Sequence, residues 1–462
     1  MTYQDAVQYL ESLVNYERCH DPQAMREVKL TRMRRLCQKL GDPQRRFRSV
    51  VVTGTNGKGS ICALLYSMLR ESSLRAGLYT SPHVEHLRER IRAWTRGPQA
   101  ERAHQDDWIS EADVAAIIER VASCAEAMRD ESLGAPTYFE VMTAAALLHF
   151  SRIGVEIAVL EVGLGGRLDA TNIVDQAISV LGPIDVDHAD VLGNDPVKIA
   201  YEKSGIIKAN QVVLSAPQQE PVLDVLRTVC DAQGVPLTVC GIDVGVTIHE
   251  SSLEGSRISI TGLRGRYDSL HVPLIGRHQA SNAALAIAAL EALSDTGVPY
   301  GLVERGLISA QWPGRLEVVS DVPLVFIDGA HNPHAAQALR ETLEEFCQGR
   351  TIHLLMGMSE DKSIEDVGKI IGRIAVSVTC TKSRHPRALD PTELATRLYP
   401  FCHDVHVMSD PIDAYTYLLN AVSSQDVIVV TGSLFLAGEL RAALRQAHVR
   451  PRRLPEIESL VT

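Results

Sequence analysis

The stretch Val50-Val51-Val52-Thr53-Gly54-Thr55-Asn56-Gly57-Lys58-Gly59-Ser60 decides how the rest of the chain is read. Three β-branched residues predict a short strand and the glycines a turn. From Ser60 to about Ser72 apolar residues recur at helical spacing, with Leu64, Leu65, Met68 and Leu69 on one side. In such a strand–turn–helix unit, backbone N–H groups and a helix N-terminus face a phosphate, and Lys58 adds a point charge. It is not a strict Walker A motif. That motif needs Gly where this chain has Val52, and Ser or Thr directly after the lysine, where it has Gly59; Ser60 is displaced by one. A tight turn carrying a surface lysine would show the same letters, so the context has to decide.

Outward from this unit the pattern stays α/β. Residues 3–40 have helical apolar spacing. Further strands are predicted near Leu78-Tyr79, at Ile157–Val162, Ala177–Leu181 and Val212–Ser215, a mostly parallel set. From Leu237 to Pro273 short alternating runs (Val244–His249, Arg257–Thr261, Ser269–Val272) read as a small antiparallel sheet, followed by an Ala-rich helix from about Ala280 to Leu293. A second series of strands begins after Trp312-Pro313-Gly314: Leu324–Asp328, Thr351–Met356, Ala375–Thr381, Val405–Met408 and Val427–Thr431. Helical patterns fill the gaps, which predicts a doubly wound Rossmann-like domain. The domains are therefore placed at 1–312 and 313–462.

The whole composition narrows the class. The chain has 462 residues, 45% hydrophobic and 22% charged, the balance of a globular protein of two to three domains. Aromatics are only 5%, so the cores are built from aliphatic residues. A net charge of −11 argues against general nucleic-acid binding, which needs a basic face. The first twenty residues carry Asp5, Glu11 and Glu17 and no apolar run, and no stretch approaches the ~20 apolar residues of a membrane helix. Nine scattered Cys without a C-x-x-C pair read as reduced thiols. The expectation is a cytoplasmic protein without a membrane partner.

Three more segments carry reactive groups. Glu161 ends a predicted strand at the carboxyl edge, ahead of Gly163-Leu164-Gly165-Gly166-Arg167-Leu168-Asp169; an acid there could hold Mg²⁺, or be a solvated strand end. Asp185-Val186-Asp187-His188, then Glu202-Lys203-Ser204-Gly205, could join the same metal, although alone His188 reads better as a structural or exposed residue. Asp328-Gly329-Ala330-His331-Asn332-Pro333 ends a strand and enters a helix. Asn332 as cap and Pro333 at the first helical position explain part of it, but not Asp328 or His331.

Taken together, LGDPQRRFRSVVVTGTNGKGS, YTSPHVEHLRERI, PTYFEVMTAAAL, LEVGLGGRLDATNIV, DVDHADVLG, EKSGIIK, HQASNAALA, WPGRLE, DGAHNPHA and TGSLFLAGE, in this order from residue 40 to about 440, resemble the folylpolyglutamate synthase and dihydrofolate synthase family of the Mur ligase group. The resemblance implies a P-loop-type ATPase domain and a Rossmann-like domain, both contributing to the active site. It implies that ATP phosphorylates a folate carboxylate and that the amine of L-glutamate attacks the acyl phosphate. It implies roles by position. Gly54, Thr55, Asn56, Gly57, Lys58, Gly59 and Ser60 cradle ATP, with Asn282, Arg315 and Asp328 as further nucleotide contacts. Ser81, Glu161 and His188 hold Mg²⁺, and Lys203 matches a lysine that is carbamylated in the family. Thr137, Tyr138, Phe139, Glu140, Leu168, Asp169 and Ala170 match the pterin side, and His331 and Ser433 the incoming glutamate. Lys58, Lys203, Asp328 and His331 are the expected catalytic group. Two positions depart from the family pattern: Val51 and Thr53 stand where many relatives have His and Ala, and neither brings a reactive group.

The expected partners are ATP, L-glutamate and a folate, either dihydropteroate or tetrahydrofolate, acted on by a monomer. A Mur ligase acting on a UDP-sugar peptide is the alternative enzyme. It would need a uridine-binding domain ahead of the phosphate loop, where only about fifty residues stand. A non-catalytic folate or nucleotide switch is the alternative outside enzymes. ADP release that requires folate and glutamate together separates it from a ligase.

Overall fold

Residues 49–53 are buried without a break, which a parallel strand covered on both faces requires. They belong to β1 (Arg48–Thr53), the middle strand of a seven-stranded sheet. The others are β2 (Ala76–Tyr79), β3 (Ile91–Trp94), β4 (Ile157–Glu161), β5 (Ile178–Leu181), β6 (Val212–Ser215) and β7 (Leu237–Val239), in the order β3-β2-β4-β1-β5-β6-β7. All neighbours are parallel except β3, which runs antiparallel to β2. The register sets Val52 beside Glu161 and Thr53 beside Leu181, so the chain leaves β1, β4 and β5 at one edge of the sheet. The computed structural model describes residues 1–19, 21–26, 30–95, 107–128, 133–402 and 404–446.

Helix Lys58–Arg70 is buried from Gly59 to Leu69. Helix His278–Ala292 packs against it, and its Ala280, Ala283, Ala284, Ala286, Ala288 and Ala289 are all buried; small side chains let two helix axes approach closely. Three hairpin strands, β8 (Gly245–Ser252), β9 (Gly255–Thr261) and β10 (Arg266–Val272), form the small separate sheet expected from the alternating runs. Their short connections admit only antiparallel pairing.

A six-stranded sheet holds β11 (Glu317–Asp321), β12 (Leu324–Ile327), β13 (Ile352–Met356), β14 (Ser377–Cys380), β15 (Val405–Val407) and β16 (Val427–Thr431), in the order β11-β12-β16-β13-β14-β15. Only β11 is antiparallel to its neighbour. Beneath it lies a core that includes Leu324, Phe326, Leu354, Val378 and Val429.

The chain divides into two units. One comprises Met1–Glu250, Arg257–Pro273 and His278–Trp312; the other comprises Ser251–Ser256, Leu274–Arg277 and Pro313–Thr462. The second unit thus includes two short pieces from the hairpin region, and Ile275 sits in its core.

The strands that periodicity does not reveal are β3, β7 and β11, and each is an edge strand. β3 and β11 are short and carry charge, as in Ile91-Arg92-Ala93-Trp94 and Glu317–Asp321, which is how a soluble sheet protects its edges. Residues 3–40 hold three helices, Tyr3–Glu11, Pro22–Arg26 and Leu30–Lys39. No helix among the described residues is long and apolar enough to cross a membrane. All nine Cys are unpaired, and all but Cys19 are buried.

Candidate active site

The loop after β1 is held from several sides. Gly57 precedes the helix with φ +79°, and a Cβ there would lie 2.7 Å from Asn282 Oδ1, so conformation and space both demand glycine. The Thr55 N–H donates to the Pro183 carbonyl at 2.8 Å. Its hydroxyl donates to the Asp185 carbonyl at 2.7 Å and accepts from the Asp185 N–H at 3.0 Å. The Thr53 hydroxyl, buried, donates to the Gly165 carbonyl at 2.7 Å.

Two lysines converge on this loop. Lys58 Nζ donates to the carbonyls of Gly54 (3.0 Å) and Thr55 (3.2 Å). Lys203, from helix Pro196–Ser204, is 4% exposed and places its Nζ 2.9 Å from the same Gly54 oxygen. Burial foremost, and then the Lys58 charge, pulls the Lys203 amine down to about 7, against the opposing pull of Asp187 and Asp169.

A small, half-open cleft lies here. It is lined by Thr53, Gly54, Thr55 and Lys58, by residues 162–165, by Asp187, His188 and Leu192, and by Lys203. Three motifs far apart in the chain therefore share one wall. His188 sits at φ +49°, and its N–H donates to Asp187 Oδ1 at 2.8 Å.

Glu161 and Ser81 do not line this cleft. They lie together at the same sheet edge, where Glu161, 5% exposed, accepts from the Ser81 N–H at 3.2 Å. Among the described residues no three His, Cys, Asp or Glu side chains cluster as a metal-binding set. Mg²⁺ does not need one, since it takes one or two carboxylates and completes its shell with phosphate oxygens and water. A buried carboxylate with a hydroxyl neighbour beside a phosphate loop fits that ion. An imidazole such as His188 is a softer donor than Mg²⁺ prefers.

The segments expected on the pterin side are tightly engaged. Thr137 caps helix Tyr138–Ile153 in a capping box with Glu140. Glu140 also accepts from Arg32 Nε at 2.8 Å. Asp169 Oδ2 accepts from the N–H groups of Gly163 and Leu164, both at 3.0 Å; Oδ1 accepts from the Thr171 N–H (2.9 Å) and hydroxyl (2.6 Å). Burial raises the Asp169 carboxyl, and these donors hold it down in part. Tyr138 and Ala170 are buried, whereas Phe139 and Leu168 keep part of their surface exposed. The Phe139 ring lies against Gly163 and leaves no room for a side chain there.

Asn282 belongs to the first unit, where it is buried behind Gly57. Arg315, Asp328, His331 and Ser433 belong to the second. There Asp328 and Ser433 follow the parallel neighbours β12 and β16 at their carboxyl ends, where ligands of such sheets bind. Asp328 Oδ2 accepts from the Leu316 N–H and Oδ1 from the Ala330 N–H, each at 2.8 Å, tying the turn after Arg315 to the turn before His331. Nδ1 of His331 lies 2.7 Å from the Gly329 carbonyl oxygen. Because that oxygen can only accept, Nδ1 carries a proton there. Ser433 Oγ accepts from the Phe435 N–H at 3.2 Å at the start of helix Leu434–Gln446. Asn332 caps helix Pro333–Phe346, as its spacing predicts.

Sequence reasoning passed over Thr53 as a departure without chemistry. Its link to Gly165 joins the phosphate loop to the glycine-rich loop after β4. A hydroxyl at the end of a buried strand is the one signal that pointed to it.

The Mur ligase middle domain model matches residues 52–290, and the Mur ligase glutamate ligase domain model matches 314–434. The dihydrofolate synthase/folylpolyglutamate synthase of Bacillus subtilis is 32% identical over 427 residues, covering 90% of this chain and 95% of that protein. The crystal structure of Mycobacterium tuberculosis folylpolyglutamate synthase complexed with ADP and AMPPCP is 32% identical with a TM-score of 0.84, covering 92% of this chain and 96% of the other. The bifunctional folylpolyglutamate synthase/dihydrofolate synthase of Yersinia pestis, complexed with AMPPNP and a Mn ion, is 28% identical with a TM-score of 0.81, covering 96% and 98%. With the motifs in family order and a relative matched over nearly its whole length, this chain belongs to the folylpolyglutamate synthase/dihydrofolate synthase family of the Mur ligases.

Proposed function

We propose that the protein is an ATP-dependent ligase that adds L-glutamate to folates, acting as a folylpolyglutamate (tetrahydrofolate) synthase and also as a dihydrofolate synthase. The observation that carries this reading is the meeting of Lys58 and Lys203 on one carbonyl oxygen of a glycine-rich loop, at the carboxyl edge of a parallel sheet. Lys58 brings the positive charge a polyphosphate needs to this loop, and Lys203 fixes the loop beside it. A folate carboxylate takes the terminal phosphoryl group of ATP and ADP departs. The glutamate amine attacks the acyl phosphate, phosphate leaves, and the amine gives up a proton as the amide forms.

The residues divide this work. The Gly54–Ser60 loop and Lys58 bind the phosphates and offset the charge on the transferring oxygens. Glu161 and Ser81, with His188 as the third expected ligand, would hold Mg²⁺, which when bound supplies charge neutralisation to the phosphates. Asn282, Arg315 and Asp328 orient the nucleotide, Asp328 also by fixing the turn that follows Arg315. Phe139 and Leu168 offer the pterin its apolar surface, on segments held by Thr137, Tyr138, Glu140, Asp169 and Ala170. His331 and Ser433 receive glutamate.

Lys203 is carbamylated in the working enzyme. A buried amine pulled down to about 7 is unprotonated in a substantial fraction near neutral pH; its nitrogen attacks CO₂, forming the N–C bond, and releases a proton to solvent. The carbamate is an anion, so it replaces repulsion of Lys58 by attraction. Purified protein given ATP, glutamate and either dihydropteroate or tetrahydrofolate, with products resolved by mass, tests the assignment. Glutamylated product with stoichiometric ADP supports it. ATP binding without any folate- and glutamate-dependent turnover rejects it in favour of a switch.

A further inference from the structure

We propose that Trp312 is a positioning residue for the phosphate loop, and that glycine follows Lys58 because the Trp312 indole is seated there. The inference rests on the nucleotide reading of the loop given above. Gly59 lies in the buried first turn of helix Lys58–Arg70. A Cβ built on it would stand 2.5 Å from Cζ2 of Trp312 and 2.8 Å from Cε2 and Nε1. These are atoms of a rigid ring, so a side chain at 59 and the indole cannot both keep their places.

Two other reasons for glycine fail. Gly59 is not among the residues of positive φ, so its backbone suits any residue. Close approach to phosphate does not demand it either, because strict phosphate loops carry Ser or Thr directly after the lysine. Glycine inside a helix is otherwise unfavourable relative to alanine. The ring itself is held by its fit, since Trp312 Nε1 is buried and has no hydrogen-bond partner among the described residues. Asn282 packs on Gly57 and Trp312 on Gly59, so the two residues flanking Lys58 are each covered by a side chain from the 278–312 segment. That clamp fixes the first helical turn and with it the origin of the Lys58 side chain. Trp312 acts through Lys58, and it also anchors the chain three residues before Arg315.

The test is a mutant cycle in the full-length enzyme with Gly59→Ala, Trp312→Ala and the double variant. The expected result is a fall of about tenfold in kcat for Gly59→Ala with the folate KM unchanged, and recovery of several-fold when Trp312→Ala removes the ring. A double variant no better than Gly59→Ala alone overturns the proposal. Tryptophan emission gives a second readout that needs no turnover. With the Trp312→Phe spectrum subtracted, Trp312 emission should shift to the red in Gly59→Ala as the ring is expelled, and unchanged emission overturns the seating. Because that spectrum is independent of substrate, loss of the proposed ligase activity in the parent enzyme would be recognised separately.

Discussion

Lys58 and Lys203 share an acceptor but do different work, and their substitutions should separate. Lys58→Ala removes a charge from the transferring phosphate, worth several kcal/mol in the transition state, so kcat should fall at least about a hundredfold. Its native bonds are to its own loop carbonyls, so the melting temperature should hardly move. Near-normal turnover would end the phosphate-loop assignment. For Lys203, enzyme stripped of CO₂ at mildly acidic pH should lose activity and regain it with bicarbonate, and Lys203→Ala should be partly rescued by short carboxylic acids. Density for an unmodified amine in an active, Mg²⁺-loaded crystal would refute the carbamate. The sign of the pH dependence follows from the lowered pKa. In CO₂-free buffer, below about pH 7 both folded and unfolded states hold the proton and the burial penalty is fully present. Between about 7 and the ordinary lysine value near 10 the unfolded chain binds more protons. Stability relative to Lys203→Met should therefore rise with pH in that window, by up to about 1.4 kcal/mol per unit.

The loop between β4 and the short helical turn Ala170–Ile173 owes its form to one carboxylate. Asp169 accepts from three backbone N–H groups and one hydroxyl, all within its own loop. Asp169→Ala leaves those donors without their acceptor in a buried place, and a loss of about 2–4 kcal/mol in chemical denaturation is expected. Gly165, which accepts from Thr53, belongs to the same loop, so activity should fall with its order. A change below about 0.5 kcal/mol, the scale of an ordinary surface substitution, would show that the loop is held by other means.

The division into two units separates the functional set. Lys58, Ser81, Glu161, His188, Lys203 and Asn282 lie in one, and Arg315, Asp328, His331 and Ser433 in the other. Separate expression of residues 1–312 and 313–462 should therefore give no ligase activity from either piece, and full activity from the first piece would refute the assignment of the second. The cut also removes Ile275, 6% exposed in the core of the second unit with Leu316, Leu324 and Phe326. In the full chain Ile275→Ala should destabilise that unit by about 2–4 kcal/mol, read as an earlier transition in denaturant. An unshifted transition would place Ile275 outside its core.

Much of the α/β pattern was legible in the linear sequence because its signals are local. A buried parallel strand is a continuous apolar run, and β1, β4, β5, β12 and β16 were read that way. The turn after β1 shows itself by glycine and lysine within eight residues. The strands β3, β7 and β11 were not legible, since each is only three to five residues long and β3 and β11 mix charged with apolar residues. In the same way, the sequence marks Lys203 as a candidate but not the loop it meets. Its meeting with Gly54 joins positions 149 residues apart. The carboxylates of Asp169 and Asp328 look like free acids in the sequence, yet both are bound to backbone N–H groups in the fold. Gly59 looks like a defect in a motif until the Trp312 ring is seen above it. Propensity and periodicity act between near neighbours along the chain. Burial, proton affinity and the space left for a side chain depend on atoms brought in from distant segments, and these only the folded packing supplies.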